Sequence, residues 1–218
     1  MITVSKEDYL KAILEAESEG DTVISATLAH WLNVSPPAVT MALRRLKKDN
    51  LVQVRADGRV QLTAEGRKVA QRIVTRHHLI ERMLHEVFGM EWYRVHDEAE
   101  RLEHAVSAEF EAKLAEKLGT RGPCPHGNDA IPENPASRRK RGLRLLSEAD
   151  PDGAYVIRSV YERDRNLLEF LEERGMRPGA KVKVVARNYD RTLALQTETG
   201  KVSVGQPVAE KVWVARAR

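Results

Sequence analysis

The sequence predicts a mainly α-helical protein with small β regions: a winged helix-turn-helix, then a pair of longer helices, then a small β-barrel or sandwich. Three observations predict this fold class. Apolar residues recur at helical spacing through most of the first half of the chain. A short stretch of alternating apolar residues follows the third helical segment, and alternating runs dominate from about Leu143 onward.

Length, composition and cysteine usage limit the class of protein. A chain of 218 residues is long enough for one large domain or for two to three small ones. Charged residues make up 31% of the chain and the mean hydropathy is -0.47, and no apolar run approaches the roughly 18 residues that span a bilayer. The start, MITVSKEDYL, lacks a secretory signal, and the single cysteine, Cys124, excludes an internal disulfide. We therefore expect a cytoplasmic protein without a membrane partner, whose thiol is free or a ligand.

Two helices are predicted at the N-terminus. Ser5 is positioned to cap a helix that runs to about Glu17, and Gly20 is positioned to end it. Ser25 is positioned to cap a second, short helix that extends through Leu32.

The next segment, NVSPPAVTMALRRLKKDNL, predicts a tight turn and a third helix. Ser35 is the expected N-cap and Pro36 the first helical residue. The core-spaced positions of this helix are Val39, Leu43 and Leu46. In the following LVQVRADGRVQLT, apolar residues alternate about a turn at Asp57 and Gly58, which indicates a two-stranded wing.

Basic residues cluster on the third helix, although a net charge of +4 is by itself weak support for a nucleic-acid partner. The second helix of a helix-turn-helix lies in the major groove, with its first residues at base edges and its basic residues near phosphates. Candidate DNA contacts at the start of the helix are Ser35, Pro36, Pro37, Thr40 and Met41, all but Pro36 being candidates for base edges. Candidate phosphate contacts are Arg44, Arg45 and Lys48, with Arg55 and Arg59 beside the turn of the wing. A run of Lys and Arg alone is more often a solvated face, but the cap, turn and wing in this order predict binding to double-stranded DNA.

The middle and C-terminal regions differ in pattern. Two longer helical patterns cover roughly residues 64–88 and 92–118 and are separated by Gly89. Residues 120–142 are rich in Pro, Gly and charge, which indicates a linker or an irregular loop. The runs AKVKVVA, TLALQT, KVSV and KVWVA then predict the small β-barrel or sandwich, interrupted by one helix near Asp164 to Glu173.

The segment VHDEAERLEH places two histidines and four acidic residues within ten positions of the second long helix. At 100° per residue, its metal-ligand types fall within an arc of roughly 100° at the border of an apolar face. These residues are His96, Glu100, Glu103 and His104. The preceding helix offers His77 and Glu81 one turn apart, so two facing helices could hold one or two metal ions. Imidazole and carboxylate suit Mn, Fe, Zn or Ni, with a preference for the harder members.

Two other interpretations of this pattern are open. The histidines and carboxylates could form salt bridges in a winged-helix protein that needs no metal. They could also belong to a di-metal carboxylate enzyme, but such enzymes repeat Glu-x-x-His on two helices and this chain has one copy. No Ser/His/Asp set or phosphate-cradling loop is present, so we expect no enzymatic activity. Cys124 and His126 in CPHG have ligand spacing, although a lone cysteine beside proline is more often inert.

These stretches together resemble a known family. EDYLKAILEAESEG, LNVSPPAVTMALRRL, RHHLIERML, VHDEAERLEHAVS and CPHGNDAIP are similar to the diphtheria-toxin-repressor type of metalloregulator. The resemblance implies a winged helix over residues 1–63, a helical metal-binding and dimerisation domain over 64–135, a linker over 136–145 and an SH3-like domain over 146–218. It also implies a homodimeric repressor that binds palindromic operators of metal-homeostasis genes when its metal sites are filled.

The resemblance further implies two metal sites per subunit. The ligands implied for the primary site are Asp8, Glu100, Glu103 and His104, with Cys124 and His126 contributing as in streptococcal relatives. The ligands implied for the ancillary site are His77, Glu81 and His96, completed by Glu162 and Asp164 from the C-terminal domain.

Two positions bear on the identity of the metal and on its action. Iron-responsive members carry Met and Cys where this chain has Asp8 and Glu100, so the resemblance favours Mn(II), with Fe(II) second. Compact manganese regulators supply a further carboxylate where this chain has Lys11, so their paired-manganese geometry is not implied. The expected mechanism is that metal draws Asp8 onto Glu100 and Glu103. It thereby restricts the helix-turn-helix segments of the dimer, here called the reading heads, to one arrangement.

Overall fold

The computed structural model describes residues 3–120 and 122–217, and its elements form three consecutive units. The N-terminal unit comprises α1 (Val4–Glu19), α2 (Ser25–Trp31), α3 (Pro36–Lys48), β1 (Val52–Val54) and β2 (Val60–Leu62). The middle unit comprises α4 (Ala64–Arg82), a π-helical turn (Met83–Val87), α5 (Val95–Leu102) and α6 (Ala108–Leu118). The C-terminal unit comprises α7 (Pro135–Lys140), β3 (Arg144–Leu145), a 3-10 turn (Leu146–Glu148), β4 (Ala154–Val160), α8 (Arg165–Glu172), β5 (Lys181–Arg187), β6 (Leu193–Thr197), β7 (Gly200–Val204), α9 (Gln206–Ala209) and β8 (Val212–Arg216).

The N-terminal unit is the predicted winged helix-turn-helix. Ser35 Oγ accepts a hydrogen bond of 3.4 Å from the Ala38 N–H and Pro36 begins α3, as the capping pattern predicts. The apolar face of α3 is buried against α1 and α2. The wing pairs β1 with β2 in antiparallel register around Gly58, whose φ of 83° suits a residue without a side chain.

The two expected serine caps of α1 and α2 are wrong. α1 already begins at Val4, because the Thr3 carbonyl accepts hydrogen bonds from the Lys6 and Glu7 N–H groups. Ser25 is the first residue of α2 and not its cap; the side chain of Thr27 instead accepts from the Ile24 N–H. The predicted end of α1 at Gly20 is confirmed by its left-handed φ of 87°.

The predicted continuous helix over residues 92–118 is wrong. The helix stops after Leu102 and restarts at Ala108, where Ser107 Oγ accepts a hydrogen bond of 3.1 Å from the Phe110 N–H. Because serine is a strong N-cap residue, AVSAEF starts a new helix where periodicity alone suggests continuation. The break between the two patterns at Gly89 is confirmed, with φ at 67°.

The C-terminal unit is a single six-stranded antiparallel sheet in the order β3-β8-β4-β5-β6-β7. Register shifts occur at Ile157/Ser159 in β4 and at Val184/Ala186 in β5, and α8 contributes to the core of the unit. The expected helix near residues 164–173 is therefore confirmed. The segment 120–142, expected to be a linker or loop, also contains the short helix α7, which Asn134 caps at 2.9 Å.

The C-terminal unit packs on both of the others, and this packing positions the site. Trp92 of the middle unit is buried in the C-terminal core, and its indole N–H donates to Glu172 at 2.6 Å. Arg163, just after β4, donates to Glu15 Oε2 on α1 at 2.8 Å and to the Trp31 carbonyl at 3.1 Å. Among the described residues, no helix has both the length and the apolar character needed to cross a bilayer.

Candidate metal centres and DNA-reading surface

A buried cluster of imidazole, carboxylate and thiol groups lies where α4 meets the C-terminal unit. We call it the buried centre, and its members are His77, His78, Glu81, His96, Cys124, His126 and Glu162. Six of the seven residues are at most 5% exposed, and the seventh side chain, that of Glu162, is 11% exposed. Two overlapping groups of four ligands, each with ligand atoms within 4.8 Å of one another, share Glu81 and Glu162.

Three separate elements bring these side chains together. On α4, His77 and Glu81 lie one turn apart, with Nε2 and Oε1 separated by 3.0 Å. His96 at the start of α5 faces them, and its Nδ1 lies 3.2 Å from the same oxygen. Glu162, just after β4, supplies the opposite wall, with Oε1 at 3.7 Å from His78 Nε2.

The CPHG turn supplies the remaining two ligand types. The Gly127 N–H donates to the Cys124 carbonyl at 2.8 Å, and Gly127 has a φ of 82°. A Cβ at this position would lie 2.0 Å from the Arg158 carbonyl oxygen, so glycine lets the turn pack directly on β4. The turn thereby directs Cys124 Sγ to 3.5 Å from Glu162 Oε2 and His126 Nδ1 to 3.4 Å from Glu81 Oε1.

The imidazole and carboxylate groups of the buried centre shift one another's pKa values in opposite directions. Burial alone would lower the pKa of His126, but Glu81 and Glu162 outweigh it and raise this pKa to about 10. Burial and the Lys11 ammonium likewise oppose the carboxylates around His77, whose pKa also rises to about 10. Burial would raise the pKa of Glu81, yet His126 and His77 hold it well below its usual value. Burial raises the pKa of the Cys124 thiol far above its usual value, with help from both carboxylates.

The donor set of the buried centre fits a divalent transition-metal ion. His78 Nδ1 and Glu81 Oε2 are buried and lack a hydrogen-bond partner among the described residues. Buried polar atoms without a partner are costly, and a bound cation at the carboxylate would satisfy that oxygen. The mixture of imidazole, carboxylate and one thiol suits Mn, Fe or Zn better than Mg or Ca, which prefer oxygen alone.

A second ligand cluster, the junction centre, joins the N-terminal unit to the middle unit. Its members are Asp8, Glu103 and His104. His104 Nε2 lies 2.7 Å from Asp8 Oδ1 on α1 and 3.5 Å from Glu103 Oε1 at the end of α5. Burial raises the pKa of Asp8, His104 opposes the shift, and the nearby Glu103 and Glu100 carboxylates add to it. Two carboxylates and one imidazole form a donor set that fits a hard divalent ion.

Four of the predicted ligands lie outside the site predicted for them. Cys124 and His126, which were expected beside Asp8, belong to the buried centre, because the CPHG turn packs on β4 and faces Glu81 and Glu162. Glu100 Oε1 lies 2.8 Å from Lys11 Nζ, which outweighs the effect of burial and lowers the pKa of Glu100 to about 2. Asp164 caps α8 by accepting from the Leu167 N–H at 3.1 Å and belongs to no ligand cluster of the described residues. Sequence reasoning missed His78, although it stands in the RHHLIERML stretch, because its partner Glu162 is distant in sequence. It also missed Glu7, whose Oε2 lies 3.1 Å from His104 Nδ1.

The surface expected to read DNA is exposed to solvent. The predicted α3 contacts are all exposed: Ser35, Pro36, Pro37, Thr40, Met41, Arg44, Arg45 and Lys48. Met41 is 49% exposed although it is apolar, which suits a residue that meets a base edge. In the wing, Arg55 donates to Gln61 at 2.7 Å and Arg59 pairs with Asp57 at 2.7 Å, both at exposed positions.

The structure combines an exposed basic recognition helix, a wing and two ligand clusters, one of which includes a residue of α1 beside the recognition helix. These features define a metal-responsive DNA-binding regulator. Comparisons with known proteins agree. Residues 1–60 match the family model of the iron dependent repressor N-terminal DNA binding domain, and residues 63–132 match that of the iron dependent repressor metal binding and dimerisation domain. Residues 144–216 match the FeoA domain.

Relatives over most of the chain give the same result. The iron-dependent repressor IdeR of Mycobacterium tuberculosis is 33% identical over 189 residues, which are 82% of each chain. The diphtheria toxin repressor of Corynebacterium diphtheriae is 32% identical over 197 residues, which are 86% of this chain and 87% of the relative. The chain belongs to the diphtheria toxin repressor family of metal-dependent, DNA-binding transcriptional repressors.

Solved structures are similar over nearly the whole chain. A manganese-dependent transcriptional repressor in complex with manganese superposes with a TM-score of 0.86 at 30% identity, covering 97% of this chain and 100% of that one. The apo form of the manganese-activated repressor ScaR gives a TM-score of 0.80 at 29% identity, covering 96% and 100%. These findings confirm the predicted family and fold class, and they identify a repressor and not the di-metal carboxylate enzyme considered from the sequence.

Proposed function

We propose that the protein is a Mn(II)-responsive homodimeric repressor in which the buried centre and the junction centre each hold one metal ion per subunit. The observation that carries this proposal is the junction centre itself. Asp8 belongs to the helix beside the reading head, and Glu103 and His104 belong to the middle unit, so one bound ion would join the two units. When bound, a divalent ion supplies the positive charge that these side chains lack.

The donor types support Mn(II) before Fe(II). In the junction centre, two of the three ligand residues are carboxylates and none is a sulfur ligand, which favours the harder metals. The buried centre adds one thiol, Cys124, which would also accept Fe(II) or Zn(II). Similarity to solved manganese-dependent repressors supports the first choice, and similarity in sequence to iron-dependent repressors keeps Fe(II) as the second.

In this scheme the residues of the chain act by restricting motion. Without the ion, burial makes the charge of Asp8 unfavourable, and the nearby Glu103 and Glu100 carboxylates add to this effect, so the pKa of Asp8 is raised. With a bound ion offsetting the charge of Asp8, α1 is held against the end of α5 and the reading head keeps one orientation. The two α3 helices of a dimer would then fit successive major grooves, whose spacing of roughly 34 Å predicts a palindromic operator.

The middle unit supplies the expected dimer surface. Val87, Phe88 and Phe110 are 48%, 70% and 43% exposed, and all three lie in the segment that matches the dimerisation domain. Apolar side chains at this level of exposure are typical of a surface that a partner covers. We expect the dimer to act in the cytoplasm on genes of metal homeostasis, since a repressor of this class works on chromosomal DNA.

A selection experiment tests the metal and the operator together. Random duplex DNA is selected with the chain in Mn(II) and, separately, in chelator, and the enriched sequence is measured by fluorescence anisotropy at fixed ionic strength. The expected result is a palindrome bound tightly with Mn(II), more weakly with Fe(II) or Zn(II) at equal free metal, and released by chelator. Binding with equal strength in chelator would overturn the proposal.

A further inference from the structure

A third group of metal-ligand side chains lies between the two centres, and a side chain of the protein occupies its middle. His77, Glu100 and Glu103 have ligand atoms within 4.8 Å of one another. The Lys11 Nζ lies 3.0 Å from His77 Nδ1, 2.8 Å from Glu100 Oε1 and 2.8 Å from Glu103 Oε2. The ammonium therefore stands where a cation bound to these three groups would stand.

The surroundings of Lys11 hold its ammonium inside the third ligand group. Its side chain is 3% exposed, and three carboxylates surround it, with Glu15 the most distant at 3.9 Å. Lys11 Nζ donates to the carboxylates of Glu100 and Glu103, and these two ion pairs hold the ammonium beside His77.

The same contacts divide the neighbouring ligands between the two centres. Lys11 donates to both oxygens of Glu103, to Oε2 at 2.8 Å and to Oε1 at 3.1 Å, and Oε1 also lies 3.5 Å from His104 Nε2 in the junction centre. His77 turns Nδ1 toward Glu103 Oε2, 2.6 Å away, and Nε2 toward Glu81 in the buried centre. Glu100 Oε1 accepts a hydrogen bond from Lys11, and Glu100 belongs to neither centre.

We propose that Lys11 is a tethered cation that fills the third ligand group, so that the junction centre binds a single divalent ion and no second ion binds between His77, Glu100 and Glu103. This inference rests on the proposed function, because it assumes that the junction centre binds an ion. A divalent ion in the third group would have to displace a buried ammonium or lie against it, and like charges at this distance repel. Unlike a bound metal ion, the Lys11 ammonium is part of the chain. It therefore joins α1 to α5 at every metal concentration.

Metal stoichiometry and electron paramagnetic resonance test the inference in three forms of the chain. Lys11→Glu removes the ammonium and adds a carboxylate, whereas Lys11→Gln removes the charge and adds no strong ligand. Each chain is dialysed against Mn(II), and bound metal per subunit is counted. Paired metal ions in proteins lie roughly 3.5–4 Å apart, so a new ion next to the junction centre gives an exchange-coupled spectrum.

The expected result is one additional Mn(II) per subunit in Lys11→Glu, with a coupled spectrum, and no additional ion in Lys11→Gln or in the unmodified chain. An unmodified chain with a coupled pair would overturn the inference and leave the proposed function intact. So would a folded Lys11→Glu variant, checked by circular dichroism in Mn(II), that binds no more metal than the unmodified chain. An unmodified chain that binds operator without regard to metal would overturn the proposed function, and the inference with it.

Discussion

Arg163 donates a hydrogen bond to Glu15 on α1 at 2.8 Å, and the residue before it, Glu162, belongs to the buried centre. The Arg163 guanidinium also lies over the Trp31 ring, 4.9 Å from its centre, at the end of α2. Two adjacent residues just after β4 thus link the buried centre to α1 and α2 of the N-terminal unit. We expect this contact to couple the buried centre directly to the DNA-binding unit.

The Arg163→Ala variant should therefore bind operator more weakly without losing metal. Variants along such a path change coupling by about 0.5–2 kcal/mol, which is about 2- to 30-fold in affinity. Anisotropy with saturating Mn(II) measures the operator affinity, and dialysis measures the bound metal. Arg165→Ala is the matched control, because Arg165 pairs with Glu169 on the exposed side of α8. Equal operator affinities in Arg163→Ala and the control would refute the path.

The Asp8→Ala variant should fold normally but lose most of the effect of Mn(II) on operator binding. Asp8 is the ligand through which α1 joins the junction centre, and its side chain is 39% exposed, so its loss leaves the core intact. Allosteric couplings are typically about 1–3 kcal/mol, so we expect a loss of about 5- to 150-fold in Mn(II)-dependent affinity. The measurement is an operator titration with and without Mn(II), with the surface variant Glu98→Ala as control. A response to Mn(II) of unmodified size would argue against the junction centre.

Two substitutions on α3 should separate affinity from sequence preference. Arg44→Ala removes an exposed cation near phosphate, so affinity should fall for every duplex and the salt slope should decrease by about 1. Met41→Ala should instead alter the preferred bases at one position of each half-site. Lys201→Ala, an exposed cation on β7, is the control for loss of charge alone. If the control weakened binding as much as Arg44→Ala, α3 would not be the reading surface.

The stabilisation given by Mn(II) should grow as the pH rises from 6.5 to 8. Without metal, carboxylates overcome burial and raise the pKa of His77 and His126 to about 10. Stability from such raised pKa values is complete below the unfolded value, about 6.5, and declines as the pH rises toward 10. Metal ligation needs neutral imidazole, so protons compete less at higher pH. The Tm in chelator should fall across this range while the gain in Tm from Mn(II) increases; a gain independent of pH would contradict the expectation.

The Cys124→Ser variant should change metal preference more than metal capacity. Thiolate is a soft ligand, so its replacement by a hydroxyl should weaken Zn(II) binding more than Mn(II) binding. Competition of the two metals against a fluorescent chelator measures the ratio of affinities. Ser18→Ala, a buried hydroxyl that bonds only to the Glu15 carbonyl among the described residues, controls for a general loss of packing. Parallel losses for both metals would remove Cys124 from the list of ligands.

The sequence predicted best those features that depend on neighbouring residues. Ser35, Pro36 and the turn at Gly58 act over a few positions, so α3 and the wing were predictable from local pattern. The break between α5 and α6 was not, because Ser107 interrupts a periodicity that continues on both sides.

The ligand clusters were predictable only in part. Residues one turn apart on a helix, such as His77 and Glu81, can be paired from the sequence alone. The choice of Glu162 over Asp164 depends on where β4 ends against α4, and that is set by packing between distant segments. The position of the Lys11 ammonium depends in the same way on α1, α4 and α5 meeting at one point.

The anchoring of Trp92 in the C-terminal core means that the three units of this chain are not interchangeable modules. His126 Nε2–H donates to the Trp92 carbonyl at 2.9 Å, and the Trp92 indole N–H donates to Glu172. A shortened chain that ended before β4 would expose this indole and lose Glu162 from the buried centre. Recombination that exchanged the C-terminal unit between relatives would therefore also exchange Glu162, so the proposed metal preference of the buried centre would be inherited in part through a unit other than the winged helix.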